Sequence, residues 1–199
     1  MKKTITIMVP AYNESKVLPK LFKRLNALSV NNPKYSFEFL FINDGSKDNT
    51  MDLIVEESKR NNQISYVNLS RNFGKENAML AGFDYATGDA LVIIDADLQD
   101  PPELIPQMIK YWEEGYDDVY AKRESRDGET WLKKSTSRWF YSILDKISNI
   151  EIQRDTGDFR LLDRKAIEAL KELRESNRYT KGMFSWVGFN KKEITYKEF

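Results

Sequence analysis

Strand-like and helix-like patterns alternate through the first 122 residues, and this alternation restricts the fold more than any other feature. "TITIMVP", "FEFLFIND", "ISYVNL", "ALVIID" and "DDVYAKR" read as strands. Between them lie four helical patterns. The first runs from about Glu14 to Leu28 with Val17, Leu18, Leu21, Phe22 and Leu25 on one face. The others are "DNTMDLIVEESKR", with Asp48 or Asn49 as cap, "KENAMLAGFDYA", which ends near Gly88, and "PPELIPQMIKYWEEG", which opens on prolines and stops at Gly115. Such alternation predicts an α/β fold, a mostly parallel central sheet with helices on both faces. The aliphatic runs at 39–42 and 91–94 suit central strands buried on both sides.

Beyond Lys122 the alternation loosens. Residues 122–138 carry six basic residues (Lys122, Arg123, Arg126, Lys133, Lys134, Arg138) against three acidic ones. An amphipathic helix with Leu132, Trp139, Phe140, Ile143, Leu144 and Ile147 on one face is predicted next, and "TGDFRLLDRKAIEAL" reads as a short strand and a helix. No repeat, low-complexity linker or domain boundary stands out, so residues 1–199 read as one domain.

Composition narrows the chemistry. The sequence has no Cys and no His, which excludes disulfides, thiolate metal sites and imidazole acid–base catalysis. Any reaction must use carboxylates, Lys, Arg, Tyr or a bound metal. Lys+Arg and Asp+Glu balance at 31 each, so no global nucleic-acid-binding surface is expected. "MKKTITIMVP" does not read as a signal peptide, and no window approaches the roughly 20 apolar residues of a membrane span. A cytoplasmic location is the expectation.

In open α/β sheets ligands bind beyond the carboxyl ends of the strands. Three predicted ends are polar here: "VPAYNE", "NDGSKD" and "DADLQD". Residues i and i+2 of an extended chain face the same way, so Asp95 and Asp97 can point together into a crevice, joined by Gln99 if the extension persists. Two carboxylates and an amide oxygen suit a hard cation, Mg²⁺ or Mn²⁺, beside a diphosphate. A solvated acidic turn is the plainer alternative. Asp44 can accept the imide N–H of uracil or simply cap the following helix, and Asn13 and Glu14 can be helix-entry residues.

The blocks "VPAYNE", "NDGSKDNT", "LSRNFGKENAMLAGFDYATGD", "IDADLQDPPE" and "GDFRLLDR", in this order and spanning essentially the whole chain, resemble a family 2 glycosyltransferase of the GT-A fold. The subgroup they resemble is the polyprenyl-phosphate sugar transferases, which include dolichol-phosphate mannose synthase and bactoprenol glucosyltransferases. The resemblance implies an inverting transfer from a nucleotide-diphosphate sugar, with UDP favoured, to a polyprenyl phosphate at the cytoplasmic membrane face. It implies a nucleotide-binding half (1–121) with Pro10, Ala11, Tyr12, Glu14 and Asp44 around the nucleoside and Asp95, Asp97 and Gln99 around metal and diphosphate. It implies an acceptor-binding half (122–199) with Arg123, Lys133, Lys134, Ser137 and Arg138 on the acceptor phosphate. Asp158 takes the place of the catalytic base, and "RYTKGMFSWVGF" that of a segment closing over the diphosphate, whose candidates Arg178 and Lys181 are counted with the acceptor- and phosphate-binding residues.

Each of these has a plainer alternative: an Asp158–Arg160 ion pair, a solvated basic helix face, a surface turn around Gly182. The subgroup's bactoprenol members continue past the position of "ITYKEF" into membrane helices, whereas this sequence stops at Phe199. The competing functions are transfer to a soluble or cell-wall glycan and a non-catalytic nucleotide-sugar-binding module. A dinucleotide fold lacks its G-x-G-x-x-G after the first strand, and "RNFGKEN" lacks the P-loop's upstream glycine and following Ser/Thr.

Overall fold

The computed structural model describes residues 2–124, 156–174 and 179–196. Seven strands form one sheet: β1 (Thr4–Ala11), β2 (Ser36–Asn43), β3 (Ile64–Asn68), β4 (Ala90–Ile93), β5 (Asp118–Arg123), β6 (Thr156–Asp163) and β7 (Lys191–Tyr196), in the spatial order β3-β2-β1-β4-β6-β5-β7. β1 pairs in parallel with β2 and β4, β2 with β3, and β5 with β7. Only β6 runs against its neighbours, β4 and β5. The sheet is therefore mostly parallel, as the alternation predicts.

Among the described residues the helices are α1 (Leu18–Asn31), α2 (Thr50–Arg60), α3 (Lys75–Tyr85), α4 (Ile105–Glu113), α5 (Arg164–Glu172) and α6 (Thr180–Trp186). Alternate residues of β1 feed two cores. Ile5, Ile7 and Val9 pack with Leu21 and Leu25 of α1, Ile54 of α2 and Met108 and Ile109 of α4. Met8 packs on the other face with Met79 and Phe83 of α3, Ile167 and Leu170 of α5 and Phe184 of α6. Helices thus cover both faces, and the doubly buried β4 needs the continuous aliphatic run that its sequence shows.

Several helix boundaries differ from the sequence expectation. α1 begins at Leu18, not Glu14, because Pro19 in its first turn lacks an N–H and presets φ for a helix start. Residues 14–17 form a separate turn in which Val17 and Leu18 donate their N–H groups to the Glu14 carbonyl at 3.1 Å. α2 is capped by Asp48, whose Oδ1 accepts the Thr50 N–H at 3.0 Å and its hydroxyl at 2.6 Å; Asn49 makes no side-chain cap bond. Pro102–Leu104 forms a single 3₁₀ turn before α4. Around Gly182 the chain is helical in α6, which corrects the surface turn. The amphipathic helix expected at 132–147, together with Lys133, Lys134, Ser137, Arg138 and Arg178, lies outside the described residues. Among the described residues no helix is long and apolar enough to cross a membrane.

Candidate active site

Strand direction brings the chemistry to one edge of the sheet. β1, β2, β4, β5 and β7 all point the same way, so their carboxyl ends share that edge, and antiparallel β6 contributes its amino end to it. Asp158, at the beginning of β6, therefore meets Asp95, just past the end of β4. A cavity of about 290 Å³ opens there. The end of β1 lines it with Pro10 and Ala11, the residues after it with Tyr12 and Glu14, and the residue just past β2 with Asp44. Asp95, Ala96 and Asp97 close the floor, and Asn72, Gly74, Lys75 and Ala78 come from the α3 entry. The predicted nucleoside residues and both predicted metal carboxylates thus line one cavity.

Asp44 does not cap α2, which corrects that alternative. It is buried, and its two oxygens accept the backbone N–H groups of Phe73 at 2.7 Å and Gly74 at 2.9 Å. Those bonds tie the start of α3 to the end of β2 and leave lone pairs available, since a carboxylate accepts about four hydrogen bonds. Gly45 follows at φ +64°, and a Cβ there would lie 2.3 Å from the Arg71 carbonyl carbon. Only glycine lets the 71–74 loop pass so close. Asn13, also left-handed at φ 58°, joins two loops: its N–H donates to the Ser46 hydroxyl at 2.9 Å and its Oδ1 accepts the Lys47 N–H at 2.8 Å.

The acidic loop after β4 departs from one expectation. The chain turns at Ala96 and Asp97 and Leu98 adopts φ 68°, while Asp97 accepts the Gln99 N–H at 3.0 Å. Gln99 therefore does not continue alongside Asp95 and Asp97; its amide oxygen accepts from Arg123 Nη2 at 3.2 Å. A left-handed leucine is strained, and such strain gathers where a chain must place specific side chains. Among the described residues no three carboxylates converge closely enough to hold a metal by themselves. The Glu14 carboxyl is nevertheless pushed up, first by burial and then by the charges of Asp97, Asp48 and Asp95. Below the loop, buried Asp100 is raised to about 6, chiefly by burial, while its Oδ2 accepts the Asp95 N–H at 3.1 Å.

Lys75 was not singled out from the sequence, yet it sits at the centre. Its ammonium lies 2.6 Å from Asp95 Oδ1 and 2.7 Å from Asp158 Oδ2. Burial pulls the ammonium down, but the two carboxylates outweigh burial and hold it above the ordinary lysine value. The Asp158 side chain is only 11 % exposed. Asp158 is thus not the ion-pair partner expected for Arg160, which is fully buried and bonds Asp118 Oδ2 at 2.9 Å while stacking on Phe184. One signal was available in the sequence: a lysine in the first turn of a helix has the wrong sign for the helix dipole. Lys181 lies on α6, whose first residue, Thr180, donates its N–H to Glu76 Oε2 at 3.0 Å, next to Lys75 in sequence. Arg123 ends β5 on the same edge.

Comparison with known proteins gives consistent matches. Residues 6–171 match the family described as Glycosyl transferase family 2. An uncharacterised glycosyltransferase of Synechocystis sp. is 50 % identical over 193 residues, covering 96 % of this chain and 60 % of that protein. The bactoprenol glucosyl transferase of Shigella phage SfX is 42 % identical over 192 residues, covering 96 % and 62 %. The chain thus spans about three fifths of the curated relatives it matches. Among solved structures, glucosyl-3-phosphoglycerate synthase from Mycobacterium tuberculosis, in complex with Mn²⁺, UDP and glucosyl-3-phosphoglycerate, superposes with a TM-score of 0.69 at 15 % identity, covering 98 % of this chain and 71 % of that one.

Proposed function

Because the chain belongs to glycosyl transferase family 2 and has the GT-A fold, we propose that it carries the catalytic unit of an inverting transferase that moves a sugar from a nucleotide-diphosphate sugar to a polyprenyl phosphate. The observation that most supports this reading is the meeting of Asp158 with the Asp95/Asp97 loop across Lys75, beside the cavity that Lys75, Asp95 and Asp97 line. A donor's diphosphate beside Asp95 and Asp97 puts its sugar next to Asp158. The relatives named for bactoprenol glucosyl transfer support a bactoprenol-type lipid acceptor and a glucosyl group as the sugar moved. On this reading the unit works at the cytoplasmic face of the membrane, with residues 1–121 holding the donor and 122–199 the acceptor.

The donor set fits a hard divalent cation. Mg²⁺ is commonly held by one or two carboxylates plus substrate phosphate oxygens, and Asp95 and Asp97 offer two carboxylates at an open cavity. When bound, Mg²⁺ or Mn²⁺ would offset the charge that develops on the leaving diphosphate. The protein's own groups do the rest. Pro10, Ala11, Tyr12, Glu14 and Asp44 hold the nucleoside. Arg123 and Lys181, with the basic residues at 133–138 and Arg178, hold the acceptor phosphate. Asp158 orients that phosphate and takes up its residual proton. A phosphate monoester's second pKa is near ~6, so this proton is already largely absent at neutral pH and orientation is the larger part of the task.

The test is a donor screen with Mg²⁺ or Mn²⁺, following nucleotide release with and without a short polyprenyl phosphate. Release that depends on the lipid phosphate is expected. Release driven only by water-soluble glycans would replace the acceptor, and nucleotide binding without turnover would reduce the chain to a binding module.

A further inference from the structure

Lys75 holds a position that neither helix stability nor packing accounts for. It is the first residue of α3, where the positive end of the helix dipole disfavours a cation, and its side chain is 40 % exposed. Its place is nonetheless fixed. The N–H groups of the two residues before it are clamped by Asp44, and Gly74 turns into the helix at φ 89°. The ammonium is delivered between two carboxylates that would otherwise confront each other. β4 and β6 pair in antiparallel register as far as Ile93 and Arg160, and just beyond that pair Asp95 and Asp158 both reach the Lys75 ammonium. Like charges brought this close repel. Lys75 reaches both oxygens of Asp95, at 2.6 Å and 2.8 Å, as well as Asp158.

We infer that Lys75 is a positioning residue acting as an internal counter-cation: it occupies Asp95 in the metal-free protein, competes with the divalent cation for that carboxylate, and keeps Asp158 in place when the cation arrives. This rests on the assignment of Asp95 and Asp97 to the metal made above. With both Asp95 oxygens engaged by the ammonium, a cation can use Asp95 only by displacing Lys75 from at least one of them. The displaced ammonium keeps its contact with Asp158, so entry of the cation does not leave that carboxylate without its partner. Competition of this kind lowers affinity for the bare cation and favours loading together with a diphosphate, whose oxygens add to the ligands that Asp95 and Asp97 supply.

The experiment measures Mn²⁺ binding to the protein without nucleotide, by electron paramagnetic resonance of the free ion, for the wild type, Lys75→Met, Lys75→Arg and Asp97→Asn. Lys75→Met should bind Mn²⁺ about tenfold more tightly than the wild type, the scale set by removing one nearby competing charge. Lys75→Arg should stay near the wild type, and Asp97→Asn should bind more weakly. Lys75→Gln serves the same purpose if the methionine variant does not fold. Mn²⁺ binding that Asp97→Asn weakens but neither Lys75→Met nor Lys75→Gln tightens overturns the counter-cation role and leaves the metal assignment standing. Binding that is absent from every variant, or indifferent to Asp97→Asn, overturns both.

Discussion

At the scale of single residues, the roles proposed for the two carboxylates past β4 and the one near the start of β6 make separable predictions. Asp97 is exposed at the cavity and, among the described residues, bound only to the Gln99 N–H in its own turn, so its charge is available to a cation. Asp97→Asn should weaken metal-dependent UDP binding by about tenfold or more, the scale of a lost ligand charge, as calorimetry with and without Mn²⁺ would show. Unchanged metal-dependent affinity in a folded variant removes Asp97 from the metal site. Asp158 should behave differently. Asp158→Asn keeps the shape and deletes the charge, so donor binding should survive while kcat falls by roughly 10²–10⁴-fold, the usual range for a general base. If proton removal matters, the deficit shrinks as pH rises and more of the acceptor becomes dianionic; if Asp158 only orients, the deficit stays constant. Near wild-type turnover across the pH range would leave this carboxylate only its Lys75 contact.

At the scale of elements, the parts legible in the sequence are those carried by local pattern. The dry run Leu91–Ile94 announces a central strand, and a carboxylate immediately after it announces a ligand edge, because both follow from neighbours in the chain. The direction of β6 was not legible. An eight-residue strand shows no mark of being antiparallel, and without that direction Asp158 cannot be placed opposite Asp95. The Lys75 bridge was hidden for the same reason, since its partners arrive from two distant strands. The left-handed turn at Leu98 was equally silent, because leucine gives no sign of positive φ. Besides its ladders to β4 and β5, β6 is joined to β5 by a buried ion pair: Arg160 is 0 % and Asp118 2 % exposed, and their nitrogen and oxygen are 2.9 Å apart. Removing one partner leaves a buried charge, so Asp118→Ala should cost about 3–5 kcal/mol by chemical denaturation. A loss within the range of surface substitutions would show that β6 is held by its ladder and apolar packing alone.

At the scale of the whole molecule, one sheet edge gathers groups from distant parts of the chain, and Arg123, like the Lys75–Asp158 pair, is one place where they touch. It ends β5 and reaches back to the donor loop through Gln99 at 3.2 Å, beside Tyr196 of β7, whose hydroxyl donates to Asp100. This arrangement allows two roles that make opposite kinetic predictions. If Arg123 receives the acceptor phosphate, its planar fork can hold two phosphate oxygens, and its bond to Gln99 serves only to aim it. Arg123→Ala should then raise the acceptor KM roughly 10- to 100-fold, the worth of a hydrogen bond to a charged group, while calorimetric affinity for UDP with Mn²⁺ is unchanged. If instead its main task is to brace the loop that carries Asp97, donor affinity should fall in Arg123→Ala and also in Gln99→Ala, which breaks the brace but leaves the guanidinium. The pair of variants decides the matter. An acceptor defect confined to Arg123→Ala assigns the residue to the phosphate. A shared donor defect makes the β5 end a strut of the donor site and moves acceptor recognition to Lys181 and the basic residues beyond Glu124.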